Sequence, residues 1–162
     1  MEEKHSRPVR TGIHFGLTSG VITTLGLIVG LHAGTHSTLA VVGGVLTIAV
    51  ADACSDALAI HISKEGEQVH STREIWQATI ATLVAKFFMA LTFVVPVWLC
   101  ELPVAIIISI AWGLVVMTLL SYQLARSQGV PPGKVIAEHL AIAVLVIALT
   151  HVVGDWVRRV FA

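Results

Sequence analysis

Asp52 and Asp56 stand four residues apart in a stretch otherwise dominated by Ala, Val, Leu and Ile, so on a helix their carboxylates leave from one face, a turn apart. Lys86 sits in a second apolar stretch. A charge near the middle of a bilayer costs about 2.5 to 3.5 kcal/mol even on the lenient insertion scale, so such residues pair with one another or face a wet cavity. Two carboxylates beside the Ser55 hydroxyl offer oxygen ligands, which suit hard divalent cations, whereas imidazole and sulfur favour later transition metals. Two roles fit these residues. One is an Asp52–Lys86 ion pair that ties two helices together. The other is a cation or proton site made by Asp56, Asp52 and Ser55, with Lys86 as charge compensator. Cys54 is two residues before Asp56 and points to another face, so it is not counted as a ligand. Most of the histidines read as interfacial or capping residues; His151, inside an apolar stretch, is the exception.

The elements that must position these residues are membrane spans. Of the 162 residues, 56% are hydrophobic and 12% charged, with ten basic residues against ten acidic, whereas globular chains carry about a quarter charged residues. No Asp, Glu, Lys or Arg occurs from Thr11 to Ala51 or from Leu102 to Ala125, and both runs exceed the roughly 18 residues that signal a span. Breakers at 32–37, 63–74, 100–103 and 128–133 divide the chain into five helices, near 12–31, 38–62, 75–99, 104–124 and 135–157. The expected fold is all-α, one five-helix transmembrane domain over residues 1–162. Zero net charge gives no basic field for nucleic acid. Cys54 and Cys100 lack the spacing of a metal knuckle or redox pair. No nucleophile–base pair or hydrolase motif suggests an enzyme, and no permanently bound cofactor is expected.

Lys4, Arg7 and Arg10, then Lys64 and Arg73, then Arg126 and Lys134 fall on one side of such a bundle, which predicts a cytoplasmic N-terminus and an external C-terminus. The expected location is the cytoplasmic membrane of a prokaryote. Taking about 1.5 Å per residue, Asp56 lies about 9 Å from the cytoplasmic end of its helix, Ser19 about 10 Å, Asp52 about 15 Å and Lys86 about 16 Å. Asp52 and Lys86 thus share a depth, as do Ser19 and Asp56. Gly12, Gly16 and Gly20 repeat at four, as do Gly26, Gly30 and Gly34. Small residues at that spacing let helix backbones approach closely where lipid offers no hydrophobic contrast. The first helix is therefore expected at a bundle interior or a homodimer interface, with Gly16 and Gly20 against a second copy.

Residues 16–24 (GLTSGVITT), followed by Leu27 and Gly30, and residues 53–63 (ACSDALAIHIS) resemble the first- and second-helix signatures of the vacuolar iron transporter and nodulin-like family of five-helix metal transporters. Val95-Pro96 and residues 148–154 (ALTHVVG) fit as well, so the resemblance covers nearly the whole chain. It implies a homodimer with a pathway between the two first helices, and cytoplasmic metal exchanged for protons. The family's first-helix aspartate falls on Ser19, its second-helix methionine on Asp56 and the following glutamate on Ile60. Its long cytoplasmic metal-binding segment is reduced to residues 63–74. With the thioether gone an all-oxygen site remains.

The function expected from the sequence is transport of a divalent metal ion of the iron or manganese class, by proton exchange, along Ser19, Asp52, Asp56 and Lys86, with Asp56, Asp52 and Ser55 as metal ligands. The alternatives are a non-transporting membrane scaffold that kept the fold, and a carrier for another small solute in which Lys86 contacts an anionic group.

Overall fold

The computed structural model describes residues 2–161, with side chains from residue 8 onward. The described residues are helical apart from short turns: α1 (Glu2–Thr35), α2 (Thr38–Gly66), α3 (Thr72–Thr92), α4 (Val94–Leu99), α5 (Leu102–Gln128) and α6 (Pro132–Phe161). Five stretches are long and apolar enough to cross a membrane, with α3 and α4 together forming the third, Thr72–Leu99. The chain is thus all-α and is built as an integral membrane protein. Its surface supports this: large apolar side chains such as Leu39, Trp98 and Ile107 are exposed, while Thr24, Thr82, Lys86, Ser109 and Ser121 are buried. In water that distribution would be costly; in lipid the apolar surface meets its own kind, and polar groups turn inward.

The helix limits follow local chemistry. Ser37 opens α2, its Oγ accepting a hydrogen bond from the Ala40 N–H at 3.2 Å. Ser71 and Glu74 form a capping box on α3: the Ser71 N–H donates to Glu74 Oε2 at 2.8 Å, and the Glu74 N–H donates to Ser71 Oγ at 3.4 Å. Gly129 ends α5 with φ of 70°, its N–H turned back onto α5 carbonyls, a left-handed cap that glycine adopts without strain. The third span, expected as one helix over 75–99, is interrupted at Phe93 between α3 and α4. Pro96 explains the break, because it has no N–H to offer the Thr92 carbonyl and its ring crowds that group.

The chain forms two compact units, each using part of α1 and α2. The first comprises Met1–Gly20 and Leu46–Thr92, the second Val21–Val45 and Phe93–Ala162. In the first unit the N-terminal half of α1 packs on α3. A Cβ on Gly12 would stand 3.0 Å from Ala81 Cβ, one on Gly16 would stand 3.1 Å from Ala85 Cβ, and one on Gly20 would stand 3.2 Å from Met89 Cβ. Each approach is as tight as or tighter than nearly all real Cβ contacts, so only glycine permits this spacing. Thr82 Oγ1 fastens the seam, lying 3.2 Å from the Gly12 carbonyl and 2.9 Å from that of Ala78. Gly16 and Gly20 are buried within the chain, and their missing side chains admit α3. In the second unit Gly26, Gly30 and Gly34 receive Thr150 and Gly154 of α6 in the same way.

Candidate functional site

The first unit brings Ser19 of α1, Asp52 and Asp56 of α2 and Lys86 of α3 into one cluster. The glycine seam sets it up: a Cβ on Gly20 would lie 3.4 Å from Lys86 Cγ and one on Gly16 would lie 3.1 Å from the Lys86 backbone nitrogen, so α1 runs directly against the lysine. Lys86 is 2% exposed, among the largest fully buried side chains. Its Nζ donates to Asp56 Oδ2 at 2.5 Å and to Ser19 Oγ at 2.9 Å. Ser19 Oγ in turn donates to Asp56 Oδ2 at 2.6 Å. Lys86 Nζ also ion-pairs with Asp52 Oδ2 at 2.5 Å, but that oxygen receives no directed hydrogen bond. Proximity and alignment therefore differ between the two carboxylates: Asp56 is both charge-paired and hydrogen-bonded, Asp52 charge-paired alone.

Two carboxylates share one ammonium. With all three groups ionised, the cluster carries one surplus negative charge within a membrane span. The Asp52 and Asp56 side chains are 25% and 19% exposed, so the carboxylates reach the chain's surface while the ammonium lies behind them. Such an arrangement offers oxygen donors of the kind that hold hard cations. Among the described residues no group of three or more His, Cys, Asp or Glu side chains is arranged to hold a metal; the chain by itself supplies two carboxylates and a hydroxyl, already engaged with Lys86.

Lys86 pairs with both aspartates, so the ion pair expected with Asp52 extends to Asp56. The matched depths of Ser19 and Asp56 correspond to a direct hydrogen bond. Ser55, expected as a ligand, is exposed, and no hydrogen bond ties it to the cluster. Cys54 is exposed too. Below the cluster on the same elements, His61 Nδ1 and Thr79 Oγ1 are 3.0 Å apart, and the His61 ring meets Trp76 edge-on at 4.8 Å. The pairing of His61 was not read from the sequence, although His61 lies about a turn and a half, and Thr79 about two turns, toward the linker end from Asp56 and Lys86 respectively, which is a usable signal. In the linker, Glu67 accepts from Lys64 and pairs with His70, both at 2.8 Å. These hydrogen bonds hold the Glu67 carboxyl below the usual glutamate range. At the end of α6, Asp155 lies 3.2 Å from Arg158 and 4.0 Å from Arg159, the surface pair that i+3 and i+4 spacing predicts. Comparison with protein-family models, curated proteins and solved structures finds no match to the chain.

Proposed function

We propose that the chain is a membrane transporter of a divalent metal ion of the iron or manganese class, with protons as the exchanged ion and the Ser19–Asp52–Asp56–Lys86 cluster as the exchange site. The observation that carries this is the unequal count of charges. A scaffold needs one carboxylate per ammonium; a second carboxylate within the span costs energy unless a cation repays it. A dication between the two carboxylates neutralises them alone. For it to enter, Lys86 must move aside or surrender its proton, and a proton released for each arriving metal is the elementary event of exchange. Ser19, bonded to both Lys86 and Asp56, can follow the oxygen that changes partner. The resemblance of residues 16–24 and 53–63 to the vacuolar iron transporter family supports the same assignment. An anionic-solute carrier is disfavoured because Lys86 is already committed to two carboxylates.

Self-association fits this reading through α2. Thr47, Ala51, Ser55 and Ala59 repeat at four and are exposed, forming the small-residue stripe that close helix pairing uses. Asp52 and Asp56 border the stripe. A second copy seated there would cover the exposed sides of the carboxylates and bring two clusters together.

The test is protein-dependent uptake of Mn2+ into proteoliposomes. Transport predicts saturable uptake that the Asp56→Asn variant, in which Lys86 keeps Asp52 as its partner, loses while remaining folded. Absence of uptake for every divalent ion tried would identify a scaffold.

A further inference from the structure

At the turn between α1 and α2, and so within the second unit, His32 and His36 stack with ring centroids 5.1 Å apart and planes inclined by 44°. They are spaced i and i+4, and the His36 N–H still donates to the His32 carbonyl at 3.0 Å. His36 is held at φ of 51°, a left-handed backbone state that histidine, like asparagine and aspartate, adopts more readily than other side-chain-bearing residues. That conformation keeps its ring over the end of α1. The Nδ1 atom of His32 is buried and has no hydrogen-bond partner, so its desolvation is uncompensated. His36 and His151 are both near enough to interact electrostatically with His32.

Helix α6 is brought here by glycine. A Cβ on Gly34 would stand 3.4 Å from the Gly154 carbonyl oxygen, and one on Gly154 would stand 2.9 Å from Ala33 Cβ and 3.0 Å from the Gly34 nitrogen. His32 lies between Gly30 and Gly34, and His151 between Thr150 and Gly154, so both imidazoles flank this close crossing. His151 is 56% exposed and 3.8 Å from Asp155 Oδ2. That carboxylate is of the kind that orients metal-bound histidine.

We propose that His32 and His36, joined by His151, form a binding site for a late transition-metal dication of the zinc and nickel class. The spacing is that of a shared ion: nitrogens about 2.0 to 2.1 Å from a tetrahedral metal put the centres of two imidazole rings about 5 Å apart. Imidazole is the donor such ions prefer, whereas the carboxylates of the Lys86 cluster suit harder cations. Among the described residues no three ligands are already assembled, so His151 completes the site by turning its exposed side chain. The site stands whether or not the chain transports anything.

The experiment is calorimetric titration of tag-free, full-length protein in lipid nanodiscs with Ni2+. The wild-type chain is expected to bind about one equivalent per copy. His36→Asn keeps a residue that tolerates the left-handed backbone and should weaken binding roughly a hundredfold, because loss of one of two linked ligands forfeits their effective concentration. His151→Asn should weaken it about tenfold. His70→Asn, in the linker between α2 and α3, should leave it unchanged. Lack of binding by the wild type, unaltered affinity in His36→Asn or His151→Asn, or loss of binding in His70→Asn would overturn the site. His36 is exposed, so its substitution tests the proposal even if a change at His32 impairs folding.

Discussion

Replacing Lys86 by Met should destabilise the protein far more than neutralising either aspartate. Lys86 is 2% exposed and stands 2.5 Å from both Asp52 and Asp56, so its loss leaves two carboxylates uncompensated within the membrane. Breaking a buried pair by removing one partner costs about 3 to 5 kcal/mol. The aspartates are themselves 25% and 19% exposed, which favours the lower end of that range. Asp56→Asn acts in the other direction. It forfeits a charge-assisted hydrogen bond worth about 1.5 to 3 kcal/mol, yet it also removes a surplus charge whose burial costs about 2.5 to 3.5 kcal/mol, and Lys86 keeps Asp52. Its net effect should lie within about 1 kcal/mol of zero. The neutral triple variant, Lys86→Met with both Asp→Asn, should recover most of the loss. Unfolding in mixed micelles titrated with denaturing detergent, followed by tryptophan fluorescence, measures all three. A near-neutral Lys86→Met, or an Asp56→Asn as costly as Lys86→Met, would refute the two-to-one charge count.

Gly16→Ala should cost about 1 to 3 kcal/mol in the same assay by forcing α1 off α3, and it should do so without first dissociating any oligomer; dissociation of an otherwise stable fold would return Gly16 to a dimer interface. Ser55→Leu should weaken cross-linking between copies while leaving monomer stability within about 0.5 kcal/mol, as for an exposed position, and efficient cross-linking in that variant would remove α2 from the interface. Glu67, held below the ordinary glutamate range by Lys64 and His70, should contribute to linker stability fully above the ordinary glutamate pKa and lose that contribution as pH falls through its depressed value. Carboxyl-carbon NMR should show it titrating below the ordinary glutamate range; titration within or above that range would contradict the hydrogen-bonded linker.

The spans were legible because apolar run length is a direct reading of bilayer thickness, and the breakers at 32–37, 63–74 and 128–133 coincide with the turns. The interruption at Phe93 was not read, although Pro96 carries its cause. Asp52 and Lys86 were matched by depth along two helices; Asp56 was missed as Lys86's second partner because rise per residue ignores the reach of a long, flexible side chain, which bends a full turn toward Asp56. The glycine repeat announced a close helix contact but not its partner, since small-residue spacing is the same whether the approaching backbone belongs to α3, α6 or another chain. The His32–His36 stack depends on the left-handed backbone at His36, which residue type alone did not disclose.

The central claim is that the surplus carboxylate of the cluster exchanges a metal ion for protons. Proteoliposomes with a pH-sensitive dye trapped inside test it most directly when Mn2+ is added outside. Wild-type protein should move protons outward as Mn2+ enters, and Asp56→Asn, folded and reconstituted to the same density, should abolish that movement. Proton movement unchanged in Asp56→Asn would contradict the account.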